Sequence, residues 1–402
     1  MLCQAALFEL DASDPVYLNG ASASPLLRNS HLAAVAAVAD KSKPWKLTDG
    51  RETAATLRSL FAELVDAPAG PSSVAITPST SYAVTAVSHA LRPLLGPERG
   101  VLILEDQMAS NVLPWQSICA KMSAPLIAAR RHPNGWAHSV TSCLVPGECR
   151  VAIVAVPRHH WADGSVIDLE AIAQACEACG ARLVVDATQT LGAAPLSVRS
   201  LGPSLAMLCA SVHKWLCGLY GTCLAYYAPD ISKGASPLEH FERNREGNED
   251  PKWDNEGAFD VAAPGYPTDW CPGAQRFDGG GRPNPVLLPT LVASLKQVIA
   301  WGPDQVAQYT AVLLSRLVPA VTSLGFLAPK EHAPHIVGFT LREGGIVGVK
   351  DLADVVKQLK QRGVIVSVRA GVLRVSAHVY NTEQHIDRFV TELRGVLGDG
   401  AK

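Results

Sequence analysis

Residues 74–227 limit the possible fold more than any other part of this chain. They carry a succession of short, continuously apolar runs: VAIT (74–77), VLIL (101–104), VAIVAV (151–156), RLVVD (182–186), LAMLCAS (205–211) and TCLAYY (222–227). Helical stretches lie between them, such as STSYAVTAVSHALRPLL, apolar at Val84, Val87, Ala90 and Leu91. A strand that is apolar throughout, rather than at alternate positions, must be covered on both faces. The pattern therefore predicts an α/β fold, a mostly parallel sheet sandwiched by helices. Ligands of such sheets bind outside the carboxyl ends of the strands.

The rest of the chain divides by composition. Between 235 and 289 Gly, Pro, Asn, Asp and Trp accumulate, as a long connection would. Beyond it a helical stretch (LLPTLVASLKQVIAWG), the strands HIVGFTL, VIVSVR and VLRVS, and two further helices predict a smaller α+β domain. The expected organisation is an N-terminal segment at 1–30 bordering the active site, a large domain at 31–284 and a small C-terminal domain at 285–402. A net charge of −2 with no Lys/Arg block speaks against nucleic acid or a membrane surface as partner. No apolar run reaches the roughly 18 residues that span a bilayer, and the start, MLCQAALFELDASDP, lacks the pattern of a secretory signal. A cytoplasmic protein is expected. Most of the ten cysteines lie in apolar runs, and the single CxxC, Cys176 to Cys179, reads as helix packing.

Two of the apolar runs end in charged chemistry. VVDATQTLG delivers Asp186 to the end of one strand, and LAMLCAS runs into SVHKW, which holds Lys214 one strand later. A carboxylate and an amine brought together at neighbouring strand ends are what pyridoxal 5'-phosphate requires. The amine condenses with its aldehyde, and the carboxylate keeps the pyridine nitrogen protonated so that the ring accepts electrons.

With these strands, the motifs YLNGASASP, EDQMASNVLPWQ, HWADGSVIDLE, VVDATQTLGAAP, SVHKW, RFDGGGRPNPVLLP and LRVSAHVYNTEQHID, in that order, resemble the class V aminotransferase family. These are pyridoxal phosphate enzymes of fold type I that include cysteine desulfurases, kynureninases and isopenicillin N epimerases. The resemblance implies that Lys214 is the Schiff-base lysine, that Asp186 faces the ring nitrogen and that Gln189 bonds the phenolic oxygen. It implies phosphate ligands in Thr80, Ser81, Ser211 and His213, where hydroxyls meet a helix start. Arg374 matches the arginine that grips the substrate α-carboxylate, with Asn19 and Ala21 bordering the same pocket. It also implies a small amino-acid substrate and a homodimer with shared active sites.

Four departures from the family pattern bear on the reaction. Met108 stands where relatives place His or Phe over the ring, and Trp161 where desulfurases carry Asn. Gly279-Gly280-Gly281-Arg282 replaces the Gly-Thr pair that reaches the neighbouring phosphate, so Arg282 and backbone amides would serve. No cysteine follows Cys271, whereas desulfurases carry a nucleophilic loop cysteine shortly before the substrate arginine. These departures favour a lyase of the C–S or β-elimination type without a persulfide cysteine. A transaminase is the alternative, followed by an epimerase and a non-catalytic scaffold.

Overall fold

The computed structural model describes residues 2–247, 269–281, 283–342 and 351–398. A short strand, β1 (Val16–Tyr17), is followed by helices Arg28–Lys41 and Arg51–Leu64. The main sheet is built from β2 (Val74–Thr77), β3 (Gly100–Leu104), β4 (Leu126–Ala129), β5 (Val151–Pro157), β6 (Arg182–Asp186), β7 (Leu205–Ser211) and β8 (Cys223–Tyr227). Its spatial order is β2-β8-β7-β6-β5-β3-β4. All pairings are parallel except the two made by β8. Six of the seven strands fall on the apolar runs read from the sequence. The exception is β4, an edge strand whose LIAA is only partly buried and so lacks a strong apolar signal.

Helices cover the faces, and their ends follow local chemistry. The helix Leu169–Cys179 starts where the Asp168 carboxylate accepts the Ala171 N–H and stops where Gly180 turns left-handed at φ 61°. The common strand direction brings Thr77, Leu104, Pro157, Asp186 and Ser211 to one edge of the sheet. That edge is where a ligand of a parallel sheet binds.

A second sheet contains β9 (Phe326–Leu327) and β10 (Ile336–Leu341), then, after β11 (Val364–Ile365), the hairpin of β12 (Ser367–Arg369) and β13 (Val372–Ser376). Its order is β12-β13-β10-β9, antiparallel throughout, while β11 pairs with β1 in parallel. The apolar side chains form two clusters. Helix Leu287–Trp301, which the sequence reading assigns to the small domain, buries Leu288, Leu291, Leu295 and Val298 in the cluster around the main sheet. The second cluster gathers Phe326, Phe339, Ile386 and Phe389, and draws in Val16 and Leu18 from the N-terminal segment. Among the described residues no helix is long and apolar enough to cross a membrane.

Candidate active site

A cleft of about 370 Å³ opens at the carboxyl edge of the main sheet, within the size range of small-ligand sites. It is lined by Ala21, Thr80, Met108, Trp161, Asp186, Gln189, Ser211, His213, Lys214 and Arg374, all singled out from the sequence. Three predicted residues are not among its lining. Ser81 is exposed, its hydroxyl 3.1 Å from that of Ser79, and it faces a neighbouring hollow. Asn19 lies one residue layer behind, accepting from the Ser22 and Ser367 hydroxyls at 2.9 and 3.1 Å. Arg282 lies outside the described residues.

Asp186 is the last residue of β6, paired between Pro157 and Cys209, and is 7% exposed. Its Oδ1 accepts the Thr188 N–H at 3.0 Å. Thr188 in turn ties β6 to β7, because its hydroxyl accepts the Ser211 N–H at 3.0 Å. The Ser211 and Thr80 hydroxyls are 2.8 Å apart, at the first turn of helix Thr80–Ala90. Hydroxyls grouped at a helix N-terminus form a place for an anion. His213 stacks on Tyr220 with centroids 3.8 Å apart, and burial draws its pKa down to about 4.

Lys214 follows β7 in a compact turn. Gly218 N–H donates back to Val212 O at 2.8 Å, and Ser24 N–H pins the N-terminal segment to His213 O at 3.1 Å. Desolvation pulls the ammonium down to about 8, and the nearby guanidiniums of Arg374 and Arg369 push the same way against the opposing pull of Asp186. A lysine held this way has a free amine at only mildly alkaline pH.

Gln189 spans the two loops. Its Nε2 donates to Ala21 O at 3.0 Å, and its Oε1 accepts from Trp215 Nε1 at 2.9 Å. Its carbonyl accepts from His335 Nε2 at 2.7 Å. The fully buried Trp215 ring lies flat on His378, 5.2 Å away. Burial lowers His335 to about 4 and His378 to about 3, so both rings are neutral packing elements. Gly192 closes the assembly at φ 92°, since a Cβ there would sit 2.4 Å from Trp215 O.

Arg374 is 2% exposed on β13. It donates to Trp161 O and to Ser22 Oγ, both at 2.7 Å, and its Nε is buried without a partner among the described residues. Desolvation and the neighbouring Arg369 lower its pKa to about 9. The sequence reading missed Arg369, Ser22, Thr188 and His159, all in the lining. Thr188 and Ser22 could have been found, since they lie inside VVDATQ and YLNGASASP; His159 and Arg369 lie outside the quoted motifs.

A carboxylate at one wall, an amine beside it, and hydroxyls with a helix start at one end fit pyridoxal 5'-phosphate in charge, size and order. The fold and site define a fold type I enzyme that uses this cofactor. The family model for aminotransferase class-V matches residues 46–389, and the chain belongs to that family.

A Bacillus subtilis (strain 168) protein named uncharacterized aminotransferase YcbU is 24% identical over 363 residues, 88% of this chain and 86% of that one. A Klebsiella pneumoniae cysteine desulfurase is 25% identical over 324 residues, 75% of this chain and 72% of its own. Among solved structures, the cysteine desulfurase CsdA from Escherichia coli has a TM-score of 0.80 at 18% identity, covering 98% of this chain and 97% of that chain. The cystine C-S lyase C-DES, in complex with its reaction product cysteine persulfide, has a TM-score of 0.76 at 18% identity, covering 95% and 97%.

Proposed function

We propose that this enzyme is a lyase that cleaves a C–S or similar β-bond of an amino acid, with Lys214 as the proton carrier at Cα. Pyridoxal 5'-phosphate, when bound, supplies an electron sink for the pair left at Cα. The observation that carries the reading is that, among the described residues, Lys214 is the only amine in the cleft lining and no cysteine is part of that lining. Asp186 would hold the ring nitrogen protonated, Thr80, Ser211 and His213 would receive the phosphate, and Met108 would border the ring. Arg374 orients the α-carboxylate, and Lys214 removes the Cα proton. A thioether carries no proton, so Met108 offers no second acid on the opposite face, which disfavours an epimerase.

A two-residue turn, Ala370 and Gly371, joins β12 to β13 just before Arg374. That short turn, which holds no cysteine, supports the reading without a persulfide cysteine. A transaminase is the alternative, because the same Lys214 amine would serve as proton carrier in a reaction that expels no β-substituent. A homodimer with shared sites in the cytoplasm completes the proposal. It is supported by the Gly279–Gly281 turn beside Thr77 and Pro78 and by the exposed Leu32, Val35 and Val38 on one helix.

The test is the visible spectrum of the purified protein with a panel of amino acids and cysteine S-conjugates. Pyruvate release from one of them supports the lyase. Accumulation of the pyridoxamine form marks a transaminase, and a colourless protein that cannot be reconstituted ends the proposal. Light scattering that finds an active monomer would remove the shared-site part.

A further inference from the structure

Arg369 stands in the same cleft as Arg374, and the hairpin explains how. Ser367 is opposite Arg374, and Arg369 is opposite Val372. Directly opposed residues share a face of the sheet, and so do residues two apart on one strand. Arg369, two residues from Ser367, therefore projects from the face that carries Arg374. The turn between the strands, Ala370 at φ 46° and Gly371 at φ 77°, is left-handed at both positions, as a tight hairpin prefers. A longer loop would have let the two arginines diverge.

Both guanidiniums converge on one atom. Arg374 donates to Ser22 Oγ at 2.7 Å and Arg369 at 3.3 Å. The Ser22 hydroxyl proton goes to Asn19 Oδ1 at 2.9 Å, which fixes the oxygen as an acceptor for the pair. A serine oxygen is neutral and cancels neither charge. Among the described residues neither guanidinium has a carboxylate at ion-pair distance. The lining brings three cationic side chains, Lys214, Arg369 and Arg374, against one acid, Asp186, whose carboxylate already accepts from Thr188. Two like charges held together beside low-dielectric walls are unfavourable until anions meet them.

A monoanionic amino acid brings one carboxylate, which one guanidinium fork satisfies. We propose that the cleft selects dianionic amino acids, with the α-carboxylate on Arg374 and a second oxyanion, at the end of the side chain, on Arg369, and Ser22 holding the two forks side by side. The inference rests on the amino-acid reading of the site given above and adds a substrate class to it. A cysteine conjugate whose S-substituent ends in a carboxylate meets both requirements. A neutral side chain leaves Arg369 without a counter-charge.

The experiment is calorimetric titration of the holoenzyme with succinate and with propionate, neither of which has an amine to react. Succinate is expected to bind about ten- to a hundredfold more tightly, the usual worth of one charge-assisted hydrogen-bonded pair. Arg369→Gln should abolish most of that preference and change propionate binding by less than about threefold. Arg369→Lys, which keeps the charge, should retain part of it. A wild-type protein indifferent to the second carboxylate would overturn the proposal. So would an Arg369→Gln or Arg369→Lys variant, normal in visible spectrum, that weakens both probes alike, since Arg369 would then serve the same carboxylate as Arg374. A colourless protein fails the cofactor reading, whereas a yellow one blind to succinate fails this inference alone.

Discussion

One wall of the cleft, with Asp186 and Lys214, stands on strand ends of the large sheet; the other, with Arg369 and Arg374, stands on a hairpin of the small one. The first wall is locked from behind. Asp186 lies between paired strands, and Gln189, Trp215 and Gly192 interlock the two loops that carry the charged groups. The second wall is attached differently. Its arginines reach the cleft through Ser22, a residue of the N-terminal segment, which is itself tied to the small sheet by Ala21 N–H to Ser376 Oγ at 3.0 Å. Chemistry that moves protons needs a fixed geometry, and the proposed function assigns it to the wall where register leaves no freedom. Recognition of an anion tolerates adjustment, so it can be carried by side chains on a separate element.

That contrast can be broken by mutation. Lys214→Ala should lower turnover by about a thousandfold or more, because no other amine among the described residues lines the cleft, and the protein should lose its yellow colour. Retained turnover would remove Lys214 from the mechanism. Arg374→Gln should lower kcat/KM by about a hundredfold, mostly through KM, as expected for lost binding of a carboxylate rather than lost chemistry. A drop confined to kcat would place Arg374 on the chemical side of the cleft instead.

Gly192→Ala probes the lock itself. A methyl group there meets a backbone carbonyl at 2.4 Å in a left-handed conformation, so destabilisation of about 2–4 kcal/mol is expected in denaturant unfolding. A loss below about 0.5 kcal/mol would mean that the two loops are not rigidly joined.

The smallest effect is one of pH. In the cofactor-free protein the rate of aldehyde capture by Lys214 should rise through a pH of about 8 and level off above it, read as growth of visible absorbance. Burial disfavours the ammonium, so between about 8 and the ordinary lysine value of 10.5 the unfolded chain binds more protons than the folded one. The contribution of this group to stability therefore rises with pH across that window. A rate still climbing steeply beyond pH 10 would mean that the amine is not desolvated as described.

Much of this molecule was legible in the chain. Six of the seven main strands declare themselves because a strand buried on both faces must be apolar at every position. Asp186 and Lys214 stand out in the sequence because the first ends such a run and the second follows one closely. The edge strand β4 escaped, since partial burial asks less of its residues. Helix Leu287–Trp301 fell on the far side of the expected boundary for a related reason. Its apolar stripe states that it is buried, but not against which core.

What only the tertiary structure decided is which distant residues meet. The spacing of Arg369 and Arg374 does not tell a strand that continues from one that reverses, and the two-residue turn at Ala370 and Gly371 settles that they share a face. Ser22 lies 347 and 352 residues away from them. No local periodicity encodes a contact of that length, because it depends on how whole elements pack. Sequence determined the strands and the charged residues that stand at or just past their ends; packing alone determined what those ends would face.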